Sequence, residues 1–419
     1  MSELNMAIFL ADLALIVLLA RMVGRLARAC GQPAVLGEIL LGILLGPTLF
    51  HGAISGALFP MDVRPYLSAL ANLGLVLFMF VVGLEFDFSR LRGCTRITGA
   101  TVAGGTLVPF ALGVLLSFYL ASQHAPADPL VFTLFIGVAV SVTAFPVLAR
   151  ILTDRGMSQS RIGVIALSSA AVCDLFAWTM LAILQMIAGQ DRHNSWLVLL
   201  AVPYAAVLVS FVRPLLVRYL RTSAGQLRAG SLVVVLVGAF GSAAITQLLG
   251  LHAVFGAFLF GLVVPRFDGL EFRAEVLRST SVMSSLLLPV YFIVAGFSVN
   301  LSTVDTTGWV ELVLIMVVAT AGKFGGTWVA ARTQGMAARR SAVLATLMNT
   351  RGLTELIALG VGLQMGVLDA NLYSLMVVMA VVTTAMAGPL LRWLADPEDV
   401  RAPPERVARG ADTEVREQP

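Results

Sequence analysis

Apolar stretches about 20 residues long, separated by short clusters of charge, Pro or Gly, fill almost all of this sequence. A helix of that length crosses the hydrocarbon core of a bilayer, and the pattern predicts thirteen of them: 6–23, 34–50, 66–84, 97–120, 130–153, 162–188, 195–217, 230–249, 252–265, 281–300, 308–331, 341–365 and 371–395. The ninth is short and barely separated from the eighth, so twelve is the alternative count. Arginine placement favours thirteen. Arg25 and Arg28 follow the first span, Arg90, Arg92 and Arg96 the third, and Arg155 and Arg161 separate the fifth from the sixth. Arg218, Arg221 and Arg228 follow the seventh, Arg266, Arg273 and Arg278 the ninth, Arg332, Arg339 and Arg340 the eleventh, and four more follow Arg392. The intervening loops hold only Arg64 and Arg192. Basic residues mark cytoplasmic loops, so the reading is a multi-pass cell-membrane protein with its amino terminus outside and its carboxyl terminus cytoplasmic.

Composition agrees with this fold class, an all-α polytopic membrane protein. Hydrophobic residues make up 58% and charged residues 12%, with a mean hydropathy of +0.91, whereas soluble domains carry about 25% charged residues. The net charge of +4 belongs to the topology and gives no reason to invoke nucleic acid. Residues 6–20 have the apolar character of a signal peptide, but Glu3 precedes them and no small-residue cleavage site follows, so an uncleaved span is expected. Cys30 and Cys94 fall in predicted cytoplasmic loops and Cys173 in mid-membrane, which argues against a disulfide framework. The four histidines lie in or beside predicted outer loops and no HExxH occurs, which argues against an intramembrane metalloprotease. One transmembrane domain is expected over 1–396, followed at 397–419 by a short, polar, disordered cytoplasmic tail with no nucleotide-sensing domain. No cofactor is expected.

Two ionisable residues stand inside apolar runs. Lys323 is the only lysine among the 28 basic residues, and Asp174 lies within the sixth span. A charge near the bilayer centre costs about 2.5–3.5 kcal/mol on insertion scales, so two of opposite sign suggest a pair on an ion or proton pathway. A static salt bridge between helices is the alternative. Two spans also carry helix-interrupting residues at their middles. The fifth reads FIGVAVSVTAFPVLARIL with Ser141, Thr143 and Pro146; the twelfth reads VLATLMNTRGLTELIALG with Asn349, Thr350, Arg351, Gly352 and Glu355. Pro146 removes an amide donor and Gly352 weakens helix continuity. Seven spans apart, the two enter from opposite faces, as inverted repeats require, with a binding site expected where the broken helices cross. Simple kinks are the alternative.

Seven blocks then carry a resemblance: PAVLGEILLGILLGP (33–47), LVLFMFVVGLEFD (75–87), SVTAFPVLARIL (141–152), AAVCDLFAW (170–178), GLHAVFGAFLFGLVVP (250–265), AGKFGGT (321–327) and LMNTRGLTELIALGVG (347–362). Together they resemble the monovalent cation:proton antiporters, in the branch of the potassium-efflux antiporters and plant cation/proton exchangers. The resemblance implies a sodium/proton-antiporter fold, with a core domain of two crossed discontinuous helices, a panel domain that forms a homodimer, and elevator-like alternating access. It matches Asp174 to the ion-binding carboxylate, Lys323 to a core-helix lysine, Thr143 to the first unwound stretch, and Asn349, Thr350 and Glu355 to the second. Arg351 replaces the lysine of the pattern MNTKGLVEL. The residue before the carboxylate is usually Asp, Asn or Gln in family members, a position associated there with charge stoichiometry, and is Cys173 here; a thiol is a poor ligand for alkali cations.

The function this implies is exchange of a monovalent cation, potassium or sodium, for protons, and no enzymatic activity. A carboxylate kept from water is neutralised either by a proton or by a cation, and that competition couples the two. Ser141, Cys173 and the carbonyls around Thr143 join Asp174, Lys323 and Thr143 as candidate ion-binding groups. Pro146, Asn349, Thr350, Arg351 and Glu355 are candidates for supporting the broken helices, the last two by compensating half-helix ends. The alternatives are export of an organic cation or small metabolite on the same scaffold, or a cation channel, although no TVGYG-like filter is present.

Overall fold

The computed structural model describes residues 3–48, 53–85, 96–157, 160–188, 200–220, 230–249, 251–265, 271–302 and 304–394. The expected tail, Cys94 and the loop arginines 90, 92, 192, 221, 228 and 266 lie outside them. Among the described residues every regular element is a helix. The first half of the chain forms α1 (Glu3–Ala29), α2 (Ala34–Leu45), a short α3 (Ala53–Leu58), α4 (Arg64–Glu85), α5 (Arg96–His124), α6 (Pro129–Ser141), α7 (Phe145–Asp154) and α8 (Arg161–Ala188). Next come α9 (Ala201–Val207) and α10 (Arg213–Leu220), joined by a π-helical turn, Leu208–Val212. The second half forms α11 (Ser231–Leu248), α12 (Ala253–Val263), α13 (Glu271–Phe297) and α14 (Thr306–Thr320), which runs through a π-helical turn, Ala321–Gly325, into α15 (Gly326–Thr333). It closes with α16 (Ala338–Met348), α17 (Leu353–Gln364) and α18 (Ala370–Leu394).

By length and composition, ten helical stretches among the described residues are long and apolar enough to cross a membrane. Three shorter apolar helices, α2, α12 and α17, fall on the second, ninth and twelfth predicted spans. Helix ends differ from hydropathy where charge rides on a helix. The tenth span was expected from 281, yet α13 starts at Glu271 because its opening turns, EFRAEVLR, are helix-forming although polar. Likewise α1 continues past Arg21 and Arg25 to Ala29.

The helices pack as two bodies. α1, α2, α4, α11, α12 and α13 pack on one another, and α5 to α8 pack with α14 to α18; the bodies meet chiefly where α18 lies against α2. In lipid no hydrophobic force drives helices together, so close approach of backbones at small residues carries the packing. A Cβ on Gly104 of α5 would come within 2.4 Å of the Gly326 carbonyl, and one on Gly326 within 2.2 Å of the Gly104 carbonyl. That approach seats the Lys323 turn against α5. Beside it, Val147, Leu148, Ile162, Ile165, Leu344 and Leu347 pack α7, α8 and α16 into one buried cluster.

Contacts at the helix ends fix two opposite faces. At one, His124 of α5 meets Glu311 of α14 and Asp369 just before α18. At the other, Arg155 after α7 donates to Gly388 and Arg339 of α16 to Leu394, both on α18. The pair α6 and α7 therefore runs from the first face to the second, and α16 and α17 run back.

Candidate ion-binding site

Both expected interruptions are complete breaks. Between α6 and α7 the chain is extended at Val142 and Ala144, and Pro146 stands in the first turn of α7, where a missing amide costs no hydrogen bond. Between α16 and α17, Gly352 adopts φ +150° and ψ −123°, and a Cβ there would lie 2.8 Å from Val147. The breaks touch. The Ala144 amide donates to the Thr350 carbonyl (3.1 Å), and the Thr143 hydroxyl donates to the Met348 carbonyl (2.9 Å) at the end of α16. Thr350 turns its own hydroxyl back onto Leu347 (2.7 Å).

A helix that stops inside the membrane leaves carbonyls unpaired, with partial negative charge at that end. At the end of α6 two buried cations supply the missing donors. Arg351 donates to the carbonyls of Ala139 (3.0 Å) and Val140 (2.5 Å) and to Glu355 Oε1 (2.9 Å), while Lys323 donates to the Ser141 carbonyl. Arg351 and Glu355 are both fully buried. The Arg351 backbone is fixed in turn by Thr384 of α18, whose hydroxyl accepts from its amide (2.9 Å) and lies 2.6 Å from its carbonyl. Among the described residues no such charge meets the end of α16, which is closed by the hydroxyls and amide just described.

The opposite, N-terminal ends of α7 and α17 bear on Asp174. Its Oδ2 accepts from the Phe145 amide, the first of α7 (3.2 Å), and Thr354 in the first turn of α17 faces the same carboxyl group. Exposed amides and the positive end of a helix both favour an anion there. Oδ1 of Asp174 is buried with no hydrogen-bond partner, and so is Oδ1 of Asn349 in the second break. Asp174, Thr143, Lys323, Asn349 and Thr350 are all buried, so the site is closed to both faces in this conformation.

Three expected contacts fall differently. Lys323 makes no ion pair with Asp174; its charge reaches the carboxylate through the interior, and its ammonium goes to the bare carbonyl end of α6. The π-helical turn that contains it, one residue wider per turn, delivers the side chain to that carbonyl. The Ser141 hydroxyl is bonded to the Val138 carbonyl (2.9 Å), so Ser141 offers the site its backbone and not its side chain. The Cys173 thiol, on the same helix as Asp174, lies 3.2 Å from the Thr106 hydroxyl on α5 and is bonded to that neighbour. Thr106, Thr354 and Thr384 were not singled out from sequence: Thr106 and Thr384 stand in apolar runs and Thr354 beside Glu355, and nothing in that pattern marks their hydroxyls for the site.

Two crossed half-helix pairs around a closed, polar centre define a membrane transporter with a central site. Comparison with known proteins narrows the class: the sodium/hydrogen exchanger transmembrane model matches residues 14–396, and the chain belongs to that family. It is 36% identical to the Na(+)/H(+) antiporter NhaS4 of Synechocystis sp., over 92% of this chain and 97% of that protein. It is also 36% identical to cation/H(+) antiporter 15 of Arabidopsis thaliana, over 94% of this chain but 49% of the plant protein, so it spans about half the length of such plant relatives. In three dimensions it is similar to the sodium proton antiporter MjNhaP1 of Methanocaldococcus jannaschii, with a TM-score of 0.61 at 14% identity over 95% of this chain and 99% of that one.

Proposed function

We propose that this protein exchanges a monovalent cation, sodium or potassium, for protons by alternating access, with Asp174 as the group the two substrates share. The observation that carries the reading is the Asp174 carboxyl itself. One oxygen is held by the first amide of α7 and the other is buried without a partner. A carboxylate in that position needs a counter-charge, and a proton on Oδ1 or an alkali cation against it supplies one. Both cannot occupy it together, so binding of one displaces the other. When the loaded carboxyl crosses between faces, one substrate moves each way and no open pore forms.

Hard alkali cations take oxygen ligands. Asp174 and Asn349 offer unpartnered side-chain oxygens and Thr354 a hydroxyl. Lys323 and Arg351 neutralise the end of α6, which keeps that end from competing for the cation. Pro146, Thr143, Thr350 and Glu355 hold the two breaks in their crossed geometry, with Glu355 as the counter-charge of Arg351. Cys173 is assigned to packing through Thr106. Thirteen crossings, an outer amino terminus, a cytoplasmic carboxyl terminus and a homodimer complete the proposal, on the strength of the arginine pattern and the family resemblance.

The test is purified protein in liposomes with an internal pH dye, to which sodium, potassium and an organic cation are added in turn. Cation-dependent proton movement that disappears in Asp174→Asn supports exchange. A cation current with no proton movement favours a channel, and a response to the organic cation alone favours the export reading.

A further inference from the structure

At the face opposite His124 lies a cavity of about 340 Å³ between the two bodies. Three guanidinium groups from three helices line it: Arg28 in the last turn of α1, Arg155 just past α7, and Arg392 in the last turn of α18. Each of the two that form hydrogen bonds spends a single N–H on a backbone carbonyl. Arg155 donates to Gly388 (2.8 Å) and Arg392 to Cys30 (3.4 Å). Among the described residues no carboxylate forms an ion pair with any of the three. Glu38 on α2 is within electrostatic reach of Arg28 but does not contact it. Burial, and then the charge of Arg392, hold the Arg155 guanidinium below its ordinary pKa.

The walls come from both bodies. Arg28 and the turn Gly31–Gln32 belong to the body of α1 and α2, whereas Arg155, Gly388 and Arg392 belong to the body that holds Asp174. Contact there is tight: Gln32 donates to the Ala385 carbonyl (3.0 Å), and a Cβ on Gly388 would meet Gln32 at 3.2 Å. Guanidinium groups present planar pairs of N–H donors that match the oxygens of a phosphate, and several of them around one cavity recognise phosphate better than they recognise a monovalent halide.

We propose that this three-arginine pocket binds a phosphate-bearing anion, which bridges the α1–α2 turn to α7 and α18 and so slows the movement of one body against the other. The binding site stands on its own geometry, while the effect on turnover rests on the exchange reading above. A phosphate there can come from a lipid headgroup or from solution, and the two sources separate experimentally.

Thermal unfolding of the purified protein in detergent is followed while inorganic phosphate, short-chain phosphatidylglycerol or short-chain phosphatidylcholine is added, with chloride at matched ionic strength as control. The expected result is a rise in Tm with phosphatidylglycerol, with inorganic phosphate, or with both, and none with phosphatidylcholine or chloride. A response to phosphatidylglycerol alone assigns the pocket to a lipid headgroup, and a response to inorganic phosphate assigns it to a soluble anion. Arg155→Gln and Arg392→Gln should each weaken the apparent affinity by about tenfold to a hundredfold, the loss of one charge-assisted contact. Arg28→Gln should do the same without disturbing the fold, because Arg28 makes no hydrogen bond that the structure needs. Equal shifts in wild type and all three variants, or no shift with either phosphate probe, overturn the site. Exchange is then compared in phosphatidylcholine vesicles with and without phosphatidylglycerol, or with and without phosphate, and should be slower with the active anion in wild type only. An anion-dependent Tm shift in a protein without exchange activity would remove the transport reading and keep the site; intact exchange without any shift would do the reverse.

Discussion

A buried carboxyl group with one oxygen on a backbone amide and the other unpartnered is stable only while something neutralises it, so Asp174 is the residue at which substitution and function separate most cleanly. Asn at this position keeps an oxygen for the Phe145 amide and loses the charge. Asp174→Asn is expected to abolish cation-dependent proton movement in liposomes while leaving the detergent Tm equal to or above that of wild type. A large fall in Tm would show that the charge is structural. Lys323 calls for a different pair of variants, since it donates to Ser141 and does not pair with Asp174. Lys323→Gln retains a donor and Lys323→Met does not, so Met should cost about 1–3 kcal/mol more stability, the penalty for a buried carbonyl left bare. Equal Tm values in the two variants would remove Lys323 from its capping role. Sequence alone made both residues visible, because an ionisable group in a long apolar run is expensive wherever it points. It did not show where Lys323 points: the π-helical turn and the stop of α6 after Ser141 decide that, and neither leaves a signature in hydropathy. The hydroxyls of Thr106, Thr354 and Thr384 were equally invisible, because a threonine in a membrane helix usually bonds to its own preceding turn, as Thr346 does with Ala342 (2.9 Å).

At the scale of elements, the two broken helices solve one electrostatic problem in two ways. The end of α6 receives Lys323 and Arg351, whereas the end of α16 receives only hydroxyls and an amide. The positive ends of α7 and α17 are both spent on Asp174. Pro146 and Gly352 announced these breaks, but for different reasons than a kink would need: Pro146 starts α7 in its first turn, and Gly352 provides a backbone angle that a side chain would strain. Gly352→Ala should therefore destabilise the protein by about 1–3 kcal/mol, with the contact to Val147 adding to the backbone strain. Its measurement is the detergent Tm, and an unchanged value would mean that the second break relaxes without loss. Arg351→Ala should cost more, about 3–5 kcal/mol, because it leaves Glu355 buried without its ion-pair partner and uncovers two carbonyls of α6. Adding Glu355→Gln to Arg351→Ala should recover part of that loss; if it recovers nothing, the carbonyl caps and not the ion pair dominate.

Across the whole molecule, polar contacts concentrate at the two faces and at the crossing point, with apolar packing between. The face opposite the arginine pocket is tied by His124, which lies 2.5 Å from Asp369 and 3.1 Å from Glu311 and so joins α5, α14 and the turn before α18. All three elements belong to the body that holds Asp174, so this tie stiffens one body and does not bridge the two. Burial pushes the Asp369 carboxyl up, but hydrogen bonds from His124 and from the Leu372 amide outweigh it and hold the group below its usual range. A carboxylate lowered in the folded state adds stability that is fully present above the ordinary value, about pH 4, and is lost as pH falls through the depressed value. Asp369→Asn keeps the cap on the Leu372 amide and deletes the charge, so it isolates the tie to His124. Its Tm should lie below that of wild type at pH 7, and the gap should narrow as the pH is lowered past 4, where the wild-type carboxylate begins to take up its own proton. A Tm equal to that of wild type at pH 7 would show that Asp369 acts through its cap on α18 alone, and would leave His124 tied to this face by Glu311.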